Sequence, residues 1–546
     1  MVKKSYIRFL LCSTLVLFLA ACANQVAPTG GPKDTTPPQV TEAQPAHRST
    51  GFNGRRIELT FDEYVTLNNA SQQVLVSPPL SNKPDIKLNN KTVVIKLKED
   101  LKPNTTYTID FGEAVKDLHE GNLFKDYVYC FATGEVLDTL TLSGTVIDAE
   151  TQKPVEKCYV GLYAVRHCEE HGDEAIQTES DSLFNLPCQQ APDYLTRTDK
   201  EGHFHFIGLP DQPFLLFALE DMNANLFYDL PNERVAFIDS LVCPSDSVHL
   251  AMTAFTEADN TQMLLEHKLV EEGLLRFAFR QPADSVSIDL SWPETDTFQM
   301  VQVWSAHHDT LCCWFTPNVL DTLRANIHYD TLININSTVN LQYRDAKLRR
   351  GAVSKTLKVA TNLRNKMLMP GDDFLLKFVE PITYINIDTC FEQADEYGMV
   401  FRYKGDVAAT DTLSLHLSDS VFFSVRGRTN DSLDVQIRRA READFGNIYI
   451  KVSPPEGKQV VVQLLDSKDR VVNQRVVDSV ARVGFTQLLP EKYKLQAIID
   501  TDRNGRWSTG NFHRRFLPEV VVPYKDALDL KAGWDIDLDD VWDIPD

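Results

Sequence analysis

The chain is predicted to be all-β and to consist of tandem β-sandwich domains. Short stretches in which apolar and polar residues alternate follow one another along most of the sequence, as in Ile57–Phe61 and Tyr107–Phe111. A period of two is typical of strands that bury one face. Turn residues such as Asn89-Asn90 separate these stretches. Short strands at this spacing indicate β-sandwiches.

Length and composition limit the number of domains and the class of partner. The chain has 546 residues, which at about 150 residues per domain indicates about three to five domains. It is 43% hydrophobic and 10% aromatic, as expected of a globular protein. Its net charge is −22, and such a surface repels nucleic acid and anionic lipid headgroups. A nucleic-acid partner is therefore not expected.

The N-terminus has the pattern of a lipoprotein export signal. Basic residues at Lys3, Lys4 and Arg8 precede a short apolar run, which ends in Leu19–Cys22. This pattern predicts a signal peptide over residues 1–21 whose cleavage leaves Cys22 as an acylated first residue. The alternative, a transmembrane anchor, needs about 20 apolar residues, and this run is shorter. We therefore expect a protein that is held on a membrane by lipid.

The segment after the signal is predicted to be a tether. Residues 22–38 contain repeated Pro and Gly, including Pro28, Gly30 and Pro32, which oppose helix formation and ladder pairing. At about 3.3 Å per extended residue, this lipidated tether reaches roughly 50 Å at most.

The first domain is predicted at residues 39–136, on motifs that recur in a fixed order. These are a proline-rich entry, an Asn-Gly turn, a Phe-Asp-Glu-Tyr-Val strand, a Lys-Pro-Asn turn and a Phe-Ala-Thr-Gly exit: Asp34–Pro38, Asn53-Gly54, Leu59–Val65, Leu101–Tyr107 and Tyr129–Gly134. Over 35–136 the chain resembles the bacterial Ig-like module of S-layer type. Within that group it resembles the first domain of a family of Bacteroidota envelope lipoproteins.

That resemblance implies a structural role for the Phe-Asp-Glu segment. Asp62 and Glu63 are therefore expected to be polar residues at a strand end. The alternative is a catalytic carboxylate pair, which is disfavoured because adjacent residues of a strand point to opposite faces.

A second module is predicted at residues 139–255. Its strands and turns are Leu142–Asp148, Lys153–Val155, Val160–Tyr163 and Thr198–Phe206. They resemble the transthyretin-like, carboxypeptidase-regulatory type of β-sandwich. That resemblance implies a packing and display module and brings no active site with it.

An internal repeat predicts a further sandwich of the second kind at 445–530. Leu209–Asn225 and Leu489–Asn504 each give a Leu-Pro turn, an alternating strand and a loop of evenly spaced Asp and Asn. Self-similarity of this kind marks repeated structural units.

The remaining segments are less distinctive. Residues 256–364 are predicted to be a β-rich domain of unclear type, with a short helix at 257–272. Asp373–Ile382 echoes Ile57–Val65, so a second Ig-like unit is predicted at 365–442. Residues 531–546 are expected to be a solvated acidic tail, with Trp534 and Trp542 as aromatic docking points.

Eight cysteines lie outside the signal and the lipid site: Cys130, Cys158, Cys168, Cys188, Cys243, Cys312, Cys313 and Cys390. In an oxidising compartment these could pair, but the sequence does not give the connectivity. The adjacent Cys312 and Cys313 are expected to be one buried and one exposed strand residue and not a redox centre.

The repeated loops carry the candidate metal site. Oxygen ligands stand at the 1, 3, 5 spacing by which a tight loop wraps calcium: Asp221, Asn223 and Asn225 with Asp229, and Asp500, Asp502 and Asn504. The twelfth position, where a bidentate glutamate is usual, is Asn232 or Asn511. Weak calcium binding is one interpretation. The other is a turn in which these side chains bond their own backbone.

Asp-Ser/Thr-apolar and Asp-Thr-Thr triplets recur and resemble the periplasmic O-glycan acceptor motif of Bacteroidota. The candidate acceptors are Thr35, Thr139, Ser182, Ser240, Ser247, Ser285, Thr310, Thr322, Thr331, Thr412, Ser420, Ser432 and Ser479. The alternative is structural, because Asp closing a turn before a Ser/Thr-initiated strand gives the same triplet.

No phosphate-binding loop, serine-hydrolase elbow or zinc-protease helix motif occurs in the chain. His167 and His171 have metal-ligand spacing if helical, but their charged flank is typical of a loop. The sequence therefore predicts a non-catalytic scaffold that binds an envelope protein or a glycan, with no cofactor except the calcium considered above. The alternative is a hydrolase or accessory subunit with its site in 256–444.

The expected location is the outer membrane. The residues that follow Cys22, Ala23-Asn24-Gln25, lack the acidic run that resembles a surface-export signal in such bacteria. This favours the periplasmic face.

Overall fold

The computed structural model describes residues 34–125, 127–165, 185–245, 249–260, 262–271, 273–283, 286–291, 300–316, 322–329, 337–342, 356–386, 390–405 and 412–545. Their regular structure is almost entirely β-strand, which confirms the all-β prediction. Two compact units form: Met1–Asp148, Gln152–Thr256 and Phe512–Phe516 make the first, and Ala149–Thr151, Glu257–Asn511 and Leu517–Asp546 make the second. Within the described residues no helix is long and apolar enough to cross a membrane.

The first module of the first unit is a sandwich of small antiparallel sheets, ordered β1-β2-β6-β5, β4-β7-β9 and β3-β8. Its elements are β1 (Val40–Gln44), β2 (Arg56–Phe61), β3 (Val65–Leu67), α1 (Ala70–Gln73), β4 (Leu75–Ser77), β5 (Asp85–Asn89), β6 (Thr92–Lys96), β7 (Thr106–Asp110), β8 (Val115–Asp117) and β9 (Val128–Ala132). Because side chains alternate along a strand, Ile57, Leu59 and Phe61 all enter one core.

The second module has a seven-stranded sheet ordered β12-β11-β14-β15-β16-β10-β13. Its elements are β10 (Leu140–Asp148), β11 (Tyr159–Ala164), α2 (Leu186–Gln189), β12 (Tyr194–Arg197), β13 (His203–Leu209), β14 (Phe214–Glu220), β15 (Arg234–Phe237) and β16 (His249–Thr256). The first strand, β10, pairs in parallel with the last, β16, and the other ladders are antiparallel.

The two modules of the first unit join through buried and half-buried polar contacts. The Leu195 N–H on β12 donates to Ser77 Oγ on β4 at 2.9 Å. Arg197 Nη2 donates to the carbonyl oxygen of Gln73 at 2.6 Å. A buried donor without a partner costs about 1–3 kcal/mol, so these contacts favour one arrangement of the two modules over others.

The second unit begins with two antiparallel sheets, ordered β17-β18-β21-β20 and β19-β22-β23. Their strands are β17 (Leu264–Glu271), β18 (Leu274–Phe279), β19 (Val286–Ser291), β20 (Met300–Trp304), β21 (Thr310–Phe315), β22 (Thr322–Tyr329) and β23 (Ser337–Gln342). The helix predicted at 257–272 is wrong, because β17 occupies Leu264–Glu271 and pairs with β18. Cross-strand pairing overrides the local helix preference there.

The next strands form three small sheets, ordered β24-β33-β32-β28, β25-β27-β30-β29 and β26-β34-β31. They are β24 (Thr356–Leu357), β25 (Val359–Thr361), β26 (Met367–Leu368), β27 (Leu375–Phe378), β28 (Ile382–Ile385), β29 (Phe391–Gln393), β30 (Val400–Tyr403), β31 (Thr412–Leu417), β32 (Phe422–Ser424), β33 (Thr429–Asn430) and β34 (Leu433–Arg439). Phe378, Phe401 and Phe422 pack on one another in their core.

A buried ion pair links this part to the sheet that precedes it. Arg426 contacts Glu380, and both side chains are almost fully buried. Arg426 also pairs with Glu271 of β17 at 2.9 Å and lies 4.8 Å from the centre of the Trp314 ring of β21. Removing one partner of a buried pair leaves an uncompensated charge, so these groups constrain each other.

The last module contains β35 (Gly446–Ser453), β36 (Gln459–Leu465), β37 (Val471–Val477), β38 (Ala481–Leu488), β39 (Lys492–Asp500), β40 (Val521–Pro523), β41 (Leu528–Asp529) and β42 (Asp535–Asp543). Its pairing repeats that of the second module. β35 pairs with β38 and, in parallel, with β42, as β10 does with β13 and β16. β36 lies between β37 and β39, as β11 lies between β12 and β14. This topology supports the internal repeat.

The solvated acidic tail predicted at 531–546 is wrong. Residues Asp535–Asp543 form β42, which pairs with β35 along its length. Ile536, Leu538 and Trp542 pack against the core while the aspartates between them face solvent. Apolar and acidic residues alternate along this acidic segment. That period of two is typical of an edge strand with one face exposed to solvent.

The described cysteines are free thiols, so the pairing considered from the sequence is not found among them, and Cys168 lies outside the described residues. Burial raises the pKa of Cys130 to about 11 and that of Cys158 to about 12. Cys313 is buried and Cys312 half-buried on β21, close to the prediction of one buried and one exposed residue. Thiols in this state are poor nucleophiles.

Deletion of Trp534–Asp546 tests the role of β42. The variant should lose about 4 kcal/mol or more of the unfolding free energy of the last module, since each buried apolar side chain contributes about 1.5–3 kcal/mol. Urea unfolding followed by circular dichroism measures the loss. Asp539→Asn with Asp540→Asn removes charge from exposed positions and should change stability by less than about 0.5 kcal/mol. A deletion as stable as the intact protein would contradict the assignment of β42.

Candidate functional site

The two acidic loops predicted from the sequence follow equivalent strands of the repeated modules. The loop after β14 begins at Asp221, and the loop after β39 begins at Asp500. Each loop leads into the next strand of its sheet, β15 or β40. The repeat therefore places both loops at the same position in their modules.

Three carboxylates converge at the second loop. Oxygen atoms of Asp500, Asp502 and Glu519 all lie within 4.8 Å of one another. Asp500 and Glu519 are buried, whereas Asp502 is exposed. Like charges at this separation repel one another, so a hard cation among these oxygens would lower their electrostatic energy.

Glu519 is fixed by the backbone of the loop that it faces. Its Oε1 accepts the Thr501 N–H at 2.6 Å and the Thr501 hydroxyl at 3.0 Å, and its Oε2 accepts the Ser508 N–H at 2.9 Å. The Trp507 indole N–H donates to the Glu519 carbonyl oxygen at 3.0 Å. These bonds hold the carboxylate at the centre of the loop.

Asp500 binds the opposite side of the same loop. Its Oδ1 accepts the Asn504 N–H at 3.1 Å, and its Oδ2 accepts the Gly505 N–H at 2.9 Å and the Gln459 amide at 2.7 Å. Gly505 has φ +74°, a left-handed conformation that glycine adopts without steric cost. The equivalent sixth position of the first loop is Leu226, with φ +64°, so glycine removes the steric cost of this turn but the turn does not depend on it.

Asp502 completes the cluster from the exposed side. Its Oδ2 accepts the Ser508 hydroxyl at 2.7 Å and the Asn504 amide at 2.9 Å. The Ser508 hydroxyl bond lowers the pKa of Asp502, against a smaller opposing effect of burial. Because the folded pKa is lowered, the stabilisation by this carboxylate is present above its ordinary pKa and is lost as the pH falls through the folded value.

The first loop shares the architecture but gathers its side chains differently. Asp221 accepts the N–H groups of Asn223, Ala224 and Leu226. The amides of Asn223 and Asn225 donate to Asp229 at 3.0 and 2.7 Å. Among the described residues, the group of three or more clustered ligands lies in the second loop.

Sequence reasoning missed one carboxylate in each loop. Glu233 is fully buried and accepts the N–H groups of Met222, Asp229 and Leu230. Glu233 stands two residues before Val235, and Glu519 stands two residues before Val521. These valines occupy equivalent positions in the strand that follows each loop, because each pairs with the equivalent residue of the strand before the loop. The number of residues between the first aspartate and the glutamate differs between the two loops. Only the shared strand register therefore shows that the two glutamates are equivalent.

The loops therefore satisfy the turn interpretation directly, since the first aspartate of each loop, Asp221 or Asp500, accepts N–H groups of that loop. The second loop adds carboxylates that would suit calcium. Glu519 supplies the glutamate that the twelfth position lacks. Calcium binding stays a prediction, and Asp500, Asp502 and Glu519, with Asn504 and Ser508 beside them, are the residues that would hold it.

The candidate O-glycan acceptors that the structure describes lie outside strands or at strand starts. Ser182, Ser247, Ser285 and Thr331 fall outside the described residues, and Thr322 opens β22. Exposed acceptors are Thr35, Thr139, Ser240, Thr412, Ser432 and Ser479, while Thr310 and Ser420 are half-buried. The hydroxyls of Thr310, Ser420 and Ser479 donate to the preceding aspartate, as the structural interpretation requires.

Other candidate chemistry is weaker. In the described part of 256–444, His416 Nδ1 lies 2.7 Å from Asp434 Oδ1 on exposed faces of β31 and β34. The Ser414 hydroxyl on the same strand donates to Gln436, not to His416, so the three do not form a nucleophilic triad.

The remaining predicted residues separate into structural and undescribed ones. Asp62 follows the end of β2 and accepts the Gln39 N–H at 2.9 Å, which agrees with a structural role. His307 and His308 lie in the turn between β20 and β21. Cys22, the predicted lipidation site, and the His167/His171 pair lie outside the described residues.

Comparison with known proteins identifies the first module. Residues 34–133 match the family of bacterial Ig-like domains. This confirms that residues 35–136 resemble a bacterial Ig-like module. No curated protein matches the chain in sequence.

Several solved structures are similar to this chain. An L,D-transpeptidase from Mycobacterium smegmatis is 12% identical over 24% of this chain and 63% of its own, with a TM-score of 0.14. The S-layer protein SbsC is 11% identical over 91% of this chain and 67% of its own, at 0.14. BcpA, the major pilin subunit of Bacillus cereus, is 10% identical over 74% of this chain and 99% of its own, at 0.15. The chain thus spans less than two thirds of the length of the L,D-transpeptidase. At these TM-scores none of the three structures supports a conclusion about this protein.

Calcium should raise the melting temperature of the protein. If affinity is of the extracellular type, about 10⁻⁴ to 10⁻³ M, several millimolar calcium stabilises the folded form by about 1 kcal/mol relative to chelator. Scanning calorimetry with and without calcium measures the shift, and Asp500→Asn with Asp502→Asn should abolish it.

Asp478→Asn serves as the matched control, because Asp478 is an exposed aspartate of the same module. That variant should keep the calcium shift. No shift in the unaltered protein would leave both loops as turns alone.

Proposed function

We propose that this protein is a non-catalytic, membrane-anchored envelope lipoprotein that acts as a structural or binding scaffold for a protein or glycan partner. The observation that carries the proposal is the modular architecture: an Ig-like domain followed by further β-sandwiches, with the first two modules joined through buried and half-buried polar contacts. Such modules space and present surfaces, and the loops at their ends carry recognition.

The joint within the first unit supports the scaffold role. Beyond the Ser77–Leu195 and Gln73–Arg197 bonds, the Asp138 N–H donates to Thr106 Oγ1 at 2.9 Å in the connection between the modules. A flexible linker would leave such groups in water, where they bond equally well in any orientation. The two modules are therefore suited to transmit a fixed spacing.

The anchor follows from the N-terminal sequence. Acylation at Cys22 would place two or more acyl chains in a bilayer, and each buried methylene contributes about 0.8 kcal/mol. The Pro- and Gly-rich tether over 22–38 would then hold the Ig-like domain within roughly 50 Å of the membrane surface. We place the protein in the outer membrane, facing the periplasm, with calcium as its one candidate ligand among metals.

Replacing Cys22 with Ala should release the protein from the membrane fraction into the soluble periplasmic fraction, because the body has no other acyl site in the proposal. Cell fractionation and immunoblotting measure the distribution. Cys243→Ala is a matched control, since Cys243 is an exposed cysteine of the folded body, and it should leave membrane retention unchanged. Retention of the Cys22 variant would refute lipid anchoring.

O-glycosylation gives a second test of envelope location. Protein purified from its native host should have an intact mass above that of the bare lipidated polypeptide. Peptide mapping should place the addition at exposed triplets such as Thr139, Ser240 or Ser432. Substituting Ala at the mapped residue should remove the corresponding mass. An intact mass equal to that of the bare lipidated chain would show that the triplets serve only as turns.

A further inference from the structure

The strand β37 (Val471–Val477) forms one edge of the sheet ordered β37-β36-β39-β40. Within the described residues its outer side pairs with no other strand. Val471, Val472 and Val476 are 50%, 44% and 53% exposed. An exposed, β-branched edge strand is a ready template for pairing with another chain.

Two other edge strands of this module, β40 and β42, are protected against such pairing. β40 covers three residues and ends at Pro523, which has no N–H to donate. The edge strand β42 presents outward aspartates, and charge along an edge repels an incoming strand. β37 carries one charged residue, Arg475, and no proline. β37 therefore lacks the protection that β40 and β42 have.

The equivalent edge of the second module is a docking edge. Gly161 on β11 lies opposite Leu195 on β12, and Gln463 on β36 lies opposite Gln474 on β37, at the same step of the repeated ladder. Leu195 is the residue whose N–H leaves its own sheet to bond Ser77 of the Ig-like module. The Gln474 N–H is likewise not used in the ladder with β36: it donates to Asn473 Oδ1 at 2.9 Å, and Arg475 Nη1 donates to the Gln474 carbonyl oxygen at 2.9 Å. Both bonds are exposed and are made by side chains of β37, and the backbone of an incoming strand would replace them.

The sequence of β37 is self-complementary about Gln474. It reads Val-Val-Asn-Gln-Arg-Val-Val, so a two-fold axis at Gln474 sets Val472 opposite Val476 and Asn473 opposite Arg475 of the second copy. We infer that β37 is a self-association edge, at which two copies of this chain pair antiparallel about Gln474 and join their sheets.

The arrangement of polar groups suits this pairing. Gln496 donates to Gln463 at 2.8 Å and Gln463 to Gln474 at 3.2 Å, so a row of glutamines runs across the sheet to its edge. Two-fold pairing continues that row into the second copy. The single charge of the strand, Arg475, then faces Asn473 and not a second Arg475, which avoids like-charge contact.

The dimer should be weak and favoured by salt. One strand from each copy buries a small area compared with a standard interface, which predicts concentration-dependent association. The net charge of −22 repels two copies at long range, and salt screens that repulsion. Sedimentation velocity over a wide range of concentration should show a monomer–dimer equilibrium that shifts toward dimer as salt is added.

Cysteine cross-linking tests the position of the axis. Residues opposite each other in a hydrogen-bonded antiparallel pair have Cα atoms about 5.5 Å apart, within the range that a disulfide spans. Gln474→Cys should therefore give a disulfide-linked dimer under mild oxidation. Val480→Cys, exposed but beyond the strand, should give no more dimer than the unaltered protein, whose exposed Cys243 and Cys390 set the background.

A charge reversal tests the register. Asn473→Lys places a cation opposite Arg475 of the second copy and should weaken the dimer at least about tenfold, or about 1.4 kcal/mol. Asn473→Lys combined with Arg475→Glu should restore it. Val480→Lys should have no effect, and the melting temperatures of all variants establish that they are folded.

A folded protein that stays monomeric at every concentration and salt level, with Gln474→Cys no more cross-linked than the unaltered protein, would overturn the inference. So would cross-linking at Gln474 without restoration by Arg475→Glu, because the pairing would then have another register. Association that survives Asn473→Lys unchanged would assign the contact to a different surface.

Discussion

Each repeated module depends on one parallel strand pair that closes its first strand against its last. β10 pairs with β16 in one module and β35 with β42 in the other, whereas the neighbouring ladders are antiparallel. A parallel pair requires a long connection, and here the connection is the rest of the module. The closure therefore holds the intervening strands together as one core. It also explains why the acidic C-terminal segment is ordered: β35 would otherwise present its own unpaired edge.

The acidic loops have the same plan in both modules. Each loop follows a central strand of its sheet and leads into the neighbouring strand. A buried glutamate just before that neighbouring strand accepts N–H groups of the loop backbone. Glu233 and Glu519 are thus part of the folding of the loop whether or not a cation binds. In the second copy, Asp500 and Asp502 add negative charge beside Glu519. The structure therefore sets a strong local field at a position that the sheet itself fixes.

Sheet edges distinguish the two copies of the module. The β12 edge is used inside the chain, where Leu195 bonds Ser77 of the Ig-like module. The equivalent β37 edge has valines where solvent would favour charge. Tandem sandwiches must cover, charge or shorten each such edge, and this chain does so at β12, β40 and β42. Two modules with the same fold therefore make different contacts, because their equivalent edge strands carry different side chains.

The sequence by itself determined the fold class, because strand periodicity and turn residues are local signals. The Ig-like domain was predicted from the resemblance of residues 35–136 to a known family, and the internal repeat from the similarity of two segments of the chain. The sequence also located both acidic loops from the Asp and Asn spacing. The predictions from the sequence were wrong where pairing between distant segments decides the local structure. The segment at 257–272 was expected to be helical, but its residues in β17 pair with β18. Asp535–Asp543 was expected to be solvated, but it pairs with β35. Glu519 stands nineteen residues beyond Asp500, so no spacing rule could join them. Only the register of β40 on β39 brings that carboxylate back to the loop, because cross-strand pairing makes neighbours of residues that are distant in the chain.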